Sequence, residues 1–294
     1  MTILTAYAKV NLSLRVRPLD RSGRHPLRSL AQSIDISDTL TVEPAEEDRF
    51  VVEPEGIVPA DDTNLAWRAL EAVRAGKRRL VDLHLSKGIP VAAGLGGGSA
   101  DAAATLVAAG GVFGVGRDRL VELAPALGSD VPFCLLGGRL WLEGYGEVLT
   151  AEPMSEDFAF ALAVPPFELS TAAVYRRWDE LDAPEGPALG GRVLPPTLRD
   201  HGPLINDLTG AAVDLRPELG DWRVDLSALW GRPVAMTGSG PSLFAFFADL
   251  EEARQAADEV EGARATLAAS PVDRGWDGEP GGGLSKPPWA TGNG

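Results

Sequence analysis

The sequence predicts an α+β fold in two units. Three observations carry this. Alternating apolar segments pair around turns near the N-terminus, and a glycine-rich loop runs straight into an alanine-rich helical stretch near residue 100. Beyond residue 230 a second strand–turn–strand unit precedes an amphipathic helix. Residues 1–153 are expected to form the glycine-loop domain and residues 154–268 a smaller α/β sandwich. Residues 269–294, rich in Gly and Pro, are expected to be a disordered tail. There is no internal repeat.

Each element has its own signal. Residues 2–16 alternate, most clearly from Ala6 to Val16, and read as a strand. Residues 33–53 read as strands around turns, Asp38-Thr39-Leu40-Thr41-Val42 being the clearest. Asn64 to Ala75 has helical spacing, with Leu65, Ala69, Leu70 and Val73 on one side and Thr63 as its cap. Arg79 to Lys87 alternates and leads into the glycine loop, which opens a helix from Ser99 to Val112. Arg117 to Leu127 is a further helix, begun by Asp118. A turn at Gly128-Ser129-Asp130 precedes the apolar run Val131 to Leu136. Composition shifts at residues 151–157, a linker. Phe158 to Val164 is a strand and Thr171 to Leu181 a helix, while residues 183–203 are loop by their Pro and Gly content. Val234 to Thr237 and Ser242 to Phe247 flank the turn Gly238-Ser239-Gly240-Pro241, and Leu250 to Val260 is a charged amphipathic helix.

Composition narrows the function classes. At 294 residues and 45% apolar content the chain can bury two cores. A net charge of -15 argues against nucleic acid or an anionic membrane as partner. Cys134 is the only cysteine, so no internal disulfide can form, and its apolar neighbours mark it as a small core residue. The N-terminus has no charged-then-apolar leader, and no apolar run reaches the roughly 18 residues of a membrane helix. A cytoplasmic protein is expected. Of the basic residues only Lys9, Lys77, Lys87 and Lys286 are lysines.

The most informative stretch is Pro90-Val91-Ala92-Ala93-Gly94-Leu95-Gly96-Gly97-Gly98-Ser99-Ala100-Asp101. Successive glycine N–H groups can converge on an anion, and the helix behind them adds the positive end of its dipole. A Walker loop would need a lysine after its last glycine, and a dinucleotide fingerprint a third glycine where Ser99 stands. This loop is neither.

Three further constellations carry polar groups. Lys9 and Asn11 lie two apart on a strand and share a face, with Val10 and Leu12 opposite; a solvent-facing alternation would look the same. Asp130, between a helix end and an apolar run, is equally a turn or capping residue. Thr237-Gly238-Ser239-Gly240 either closes on a phosphate or makes a hairpin. No cluster has metal-ligand spacing for zinc.

Together, in this order and spacing, these segments resemble the small-molecule kinase superfamily named for galactokinase, homoserine, mevalonate and phosphomevalonate kinases, the GHMP kinases. One branch is similar at six places: Ala8-Lys9-Val10-Asn11-Leu12, Gly23-Arg24-His25-Pro26-Leu27, Gly94 to Ala103, Leu127 to Pro132, Glu143-Gly144-Tyr145-Gly146-Glu147 and Asn206-Asp207-Leu208. That branch phosphorylates 4-diphosphocytidyl-2-C-methyl-D-erythritol. The likeness covers roughly residues 1–265.

The resemblance implies a two-domain fold: an N-terminal domain like the second domain of ribosomal protein S5, and a C-terminal ferredoxin-like sandwich. It implies transfer of the γ-phosphoryl of ATP to the 2-hydroxyl of the cytidine diphosphate-linked methylerythritol, in non-mevalonate isoprenoid synthesis. Homoserine or mevalonate kinase activity is the alternative, and a non-enzymatic nucleotide binder a third. By the resemblance Asp130 is the base and Lys9 the cation beside it. Residues Pro90, Val91, Ala92, Ala93, Gly94, Leu95, Gly96, Gly97, Gly98, Ser99 and Ala100 wrap the ATP phosphates, with Mg²⁺ bridging them and no protein ligand assigned. Asn11, His25, Thr171, Tyr175 and Gly238 face the substrate, His25 and Tyr175 at the cytosine. Arg24 stands where the branch usually carries a tyrosine, and Ala92-Ala93 replace glycine without evident harm. A monomer or homodimer is expected, with a small-molecule substrate and neither nucleic acid nor membrane as partner.

Overall fold

The structure, a computed structural model, describes residues 1–154 and 157–279. β1 (Thr2–Val16) and β2 (Leu27–Ala45) form a long antiparallel hairpin. β3 (Arg49–Glu53) and α1 (Leu65–Arg74) lead to β4 (Leu80–Ser86), antiparallel to β2 and parallel to β3. Three helices follow, α2 (Gly97–Phe113), α3 (Arg117–Leu127) and α4 (Val131–Leu136), and then the hairpin β5 (Arg139–Glu143) and β6 (Val148–Ala151), which joins β2.

The second unit starts with β7 (Ala159–Val164) and α5 (Thr171–Glu180), followed by the short pair β8 (Ala188–Leu189) and β9 (Leu204–Ile205). α6 (Thr209–Leu215), α7 (Glu218–Trp230), β10 (Ala235–Met236), β11 (Leu243–Phe247), α8 (Leu250–Asp258) and β12 (Ala265–Ala269) complete it. β13 (Trp276–Gly278) then returns to β1. Among the described residues the strands make a seven-stranded sheet around the path β13-β1-β2-β4-β3 and a four-stranded antiparallel sheet β10-β11-β7-β12.

α2 is the pivot of the first unit. Every residue from Ala100 to Gly110 is buried, because α1, α3, α4 and the sheet surround it. Its alanines allow that close approach; longer side chains would not fit on all sides. β7 and β11 are buried on both faces. Ala159, Ala161, Ala163, Leu243 and Ala245 pack under the helices of the second unit. Phe160, Leu162, Phe244 and Phe246 join the first unit's core, their rings meeting mostly edge to face.

The anticipated α1 begins one residue later than its assigned cap. Asn64, not Thr63, accepts the N–H of Ala66, while Thr63 bonds Asp61. α6 and α7 were not anticipated.

The disordered tail does not begin at residue 269. Ala269 ends β12, Val272 N–H bonds the Ser33 carbonyl, and β13 pairs with Leu4–Ala6. Trp276 is 6% exposed and donates from Nε1 to the Leu135 carbonyl at 3.0 Å. One large aromatic ring with a polar handle offsets the flexible composition around it. The remainder of the expected tail, residues 280–294, and part of the expected linker, residues 155–156, lie outside the described residues. Trp276→Ala is expected to lower the unfolding free energy by about 3–5 kcal/mol, measured by urea denaturation. A loss under about 1 kcal/mol would show that the return strand is not part of the core.

Candidate active site

Lys9 and Asn11 share a face of β1, as their spacing requires, but that face is not in water. Both are 4% exposed. The second unit covers them: Thr237 Oγ1 accepts the Asn11 N–H at 2.8 Å, and Ser13, next on the same face, bonds the Ile205 backbone. Buried polar groups must be satisfied, and here each is. Asn11 Nδ2 donates to Ser29 Oγ at 2.8 Å, Ser29 Oγ donates to the Ser13 carbonyl at 2.7 Å, and the Lys9 ammonium donates to Asn11 Oδ1.

Asp130 stands at the start of α4, where an aspartate ordinarily caps. Its side chain makes no capping hydrogen bond. Instead Oδ2 lies 3.2 Å from Lys9 Nζ, and the carboxylate is one-third exposed. The capping alternative left open by the sequence is therefore not the one the fold adopts.

The glycine loop brings its backbone to the same point. Gly94 and Gly96 have φ of +77° and +73°. A Cβ on Gly94 would lie 2.9 Å from the Gly240 carbonyl oxygen, and one on Gly96 2.9 Å from Lys9 Cγ. Only glycine fits either place. α2 starts at Gly97, earlier than anticipated, and its first intrahelical N–H is that of Ala100. The N–H groups of Gly97, Gly98 and Ser99 thus have no partner within the helix and stand at its positive end. Ala92 is not neutral where glycine is usual: its φ is +51°, a conformation costing an alanine about 1–2 kcal/mol.

Two cavities meet at this loop. One, of about 460 Å³, is lined by every residue from Pro90 to Ser99, together with Lys87 and Asp101. Ala100, expected among the phosphate contacts, is buried behind that wall. The other, of about 430 Å³, is lined by Lys9, Asn11, His25, Asp130, Thr171, Tyr175 and Gly238. Gly94 and Gly96 belong to both walls.

The residues expected to face the substrate come together. The His25 and Tyr175 rings are 5.1 Å apart, His25 Nδ1 lies 3.0 Å from the Arg17 carbonyl, and Nε2 lies 3.3 Å from Asp179. Burial pushes the Tyr175 phenol up, and the Asp130 carboxylate adds to this. Thr171 and Ser239 hydroxyls are 2.8 Å apart. Gly238 approaches Lys9 Nζ, and Asn206 holds the Gly238 and Met236 carbonyls at 2.9 and 2.8 Å.

Sequence reading missed Ser29 and Thr237 as supports of Asn11, and it missed the partner of Arg24. The guanidinium lies 3.9 Å over the Tyr145 ring, whose hydroxyl bonds Asp20. Tyr145 belonged to one of the six matched segments, but nothing in its neighbours pointed to position 24.

A two-domain α+β fold with a glycine-rich loop between two cavities, and a Lys–Asp pair at their junction, defines a small-molecule kinase of the GHMP type. The family model for the GHMP kinases N terminal domain matches residues 64–138, and that for the GHMP kinases C terminal matches residues 198–265. The 4-diphosphocytidyl-2-C-methyl-D-erythritol kinase of Corynebacterium efficiens is 38% identical over 87% of this chain and 88% of its own length. A crystal structure of 4-(cytidine 5'-diphospho)-2C-methyl-D-erythritol kinase superposes with a TM-score of 0.75 at 34% identity, covering 92% of this chain and 98% of its own. Homoserine kinase from Cytophaga hutchinsonii shares the fold, with a TM-score of 0.68 at 16% identity, covering 95% and 97%. The chain belongs to the 4-diphosphocytidyl-2-C-methyl-D-erythritol kinase family. Among the described residues no helix is long and apolar enough to cross a membrane.

Proposed function

We propose that this chain transfers the γ-phosphoryl of ATP to the 2-hydroxyl of 4-diphosphocytidyl-2-C-methyl-D-erythritol, a step of non-mevalonate isoprenoid precursor synthesis. The observation that carries the reading is the Lys9–Asp130 pair at the wall shared by the two cavities. The nucleotide occupies the cavity behind the loop, and its phosphates lie on the amides of Gly97, Gly98 and Ser99. The acceptor enters the opposite cavity with its cytosine stacked on Tyr175 beside His25 and its hydroxyl toward Asp130. Asp130 accepts the hydroxyl proton as the oxygen attacks the γ-phosphorus and ADP leaves. Lys9 neutralises charge on the transferring group, and Asn11, fixed by Ser29 and Thr237, keeps the ammonium aimed.

Among the described residues no group of three His, Cys, Asp or Glu forms a metal site. Mg²⁺ keeps waters and binds largely through phosphate oxygens. Of the side-chain oxygens lining the nucleotide cavity, Asp101 Oδ2 is engaged by Lys87, Asn64 Oδ1 by the Ala66 N–H and Thr63 Oγ1 by Asp61. Ser99 is the hydroxyl left to contribute. When bound, the ion neutralises phosphate charge; the protein residues do the positioning.

A coupled ADP-release assay with the cytidyl substrate, homoserine and mevalonate tests the reading. Turnover is expected with the first alone; turnover only with homoserine or mevalonate would contradict it. In the same assay Tyr175→Ala is expected to raise the KM for the acceptor about 10–100-fold, the cost of losing a stacked base, and to leave the KM for ATP unchanged. Equal changes in both KM values would place Tyr175 away from the base.

A further inference from the structure

Lys87 follows β4 at the entrance to the glycine-rich loop. Its side chain is 3% exposed, and its ammonium is held between two equally buried carboxyls, Asp38 on β2 and Asp101 on α2. Nζ is 2.6 Å from Asp101 Oδ2 and in direct contact with Asp38. The other Asp38 oxygen accepts the N–H of Gly88 at 2.6 Å and of Ile89 at 2.8 Å. One cluster therefore grips both ends of the loop: residues 88–89 where the chain enters it, and Asp101 where the chain leaves it.

The two carboxyls also share one ammonium, which draws them together. Carboxyls that close and that deeply buried do not both ionise. Burial pushes Asp101 well above the ordinary carboxylate range; Lys87 pulls it down and the Asp38 charge pushes it up again. One Asp101 oxygen, Oδ1, is buried with no partner. Stability alone is a weak reason for such a trio, because buried ion pairs are often replaced by apolar residues without loss. Its place is more telling: Lys87 and Asp101 line the nucleotide cavity.

We propose that Asp38, Lys87 and Asp101 are positioning residues that clasp the phosphate loop, with one proton held between the two carboxyls so that the trio is electrically neutral. They touch no reacting atom. The clasp fixes the distance between loop entry and the first turns of α2, and so fixes where the amides of Gly97, Gly98 and Ser99 point. This rests on the reading of that cavity as the ATP site.

The test is ATP binding by calorimetry with the full chain and no acceptor, alongside KM values for both substrates. Lys87→Met and Asp38→Asn are each expected to weaken ATP binding about 10–100-fold, the scale of an ångström-sized misplacement. The KM for ATP should rise with it while the acceptor's KM stays within about twofold. Asp101→Asn, a neutral isostere of a protonated carboxyl, is expected to remain within about threefold of wild type in ATP affinity. Infrared spectra of protein labelled with carboxyl-¹³C aspartate should show a protonated carboxyl at neutral pH that Asp101→Asn removes. That band is read in the wild-type protein, so it decides the shared proton even if a variant fails to fold. The clasp is overturned by unchanged ATP affinity in folded Lys87→Met or Asp38→Asn, or by equal rises in both KM values. The neutral trio is overturned if Asp101→Asn is as damaging as Asp38→Asn, or if the band is missing. Failure of the wild-type protein to bind ATP would instead sink the nucleotide reading.

Discussion

Asp130→Asn is expected to slow phosphoryl transfer about 10²–10⁴-fold, the usual contribution of a general base. ATP and acceptor affinities should stay within about twofold. Asp130 makes no capping bond, so α4 does not depend on its charge, and the side chain is one-third exposed. An amide of the same shape keeps the packing and cannot take a proton from the acceptor. Calorimetry for binding and a single-turnover measurement of ADP formation separate the two quantities. Wild-type turnover in the variant would remove Asp130 from the chemistry. Loss of binding together with turnover would make it a structural residue.

Lys9→Met is expected to cost about 10²–10³-fold in kcat, on the scale of removing one preorganised charge from a transition state. The buried ammonium bonds Asn11 and faces Asp130 at 3.2 Å. Methionine fills much the same volume without the charge, so packing against Gly96 survives. Lys9→Arg should not rescue the activity. A Cβ on Gly96 would already lie 2.9 Å from Lys9 Cγ, and a planar guanidinium needs a wider slot than that lysine stem has. The check is kcat beside the thermal midpoint for both variants. If activity falls only as far as the folded fraction does, or if arginine restores it, Lys9 acts through the fold and not through its position.

The parts of this molecule that were legible in the sequence are those whose signal is local. The strand leading to Val16, the glycine loop and the helix after it all declare themselves within about a dozen residues. Lys9 and Asn11 were legible as a pair because a strand's period is two. What buries them was not, since Ile205 and Thr237 come from far along the chain. Asp130 shows the same limit. A capping aspartate and one paired with a buried cation stand in the same local sequence, and the difference is made by the Lys9 ammonium on β1.

Other misses have different causes. α7 escaped because its apolar residues form no single stripe: Leu219, Leu226 and Trp230 are buried while Val224 and Leu229 are exposed. The segment after residue 269 has the composition of a flexible tail, and one tryptophan docked under α4 overrides it. Arg24 departs from the tyrosine usual at its position, yet its guanidinium lies over the Tyr145 ring. A guanidinium plane offers a stacking face of its own.

Acceptor hydroxyl, γ-phosphate, Lys9 and Asp130 are expected to converge where Gly94 and Gly96 divide the two cavities. A crystal structure of the ternary complex with a non-hydrolysable ATP analogue and the cytidyl acceptor tests it most directly. The predicted result places the acceptor's 2-hydroxyl within hydrogen-bonding distance of Asp130 and the terminal phosphate beside Lys9, on the amides of Gly97 to Ser99. A terminal phosphate bound away from those amides, or an acceptor hydroxyl turned from Asp130, would contradict it.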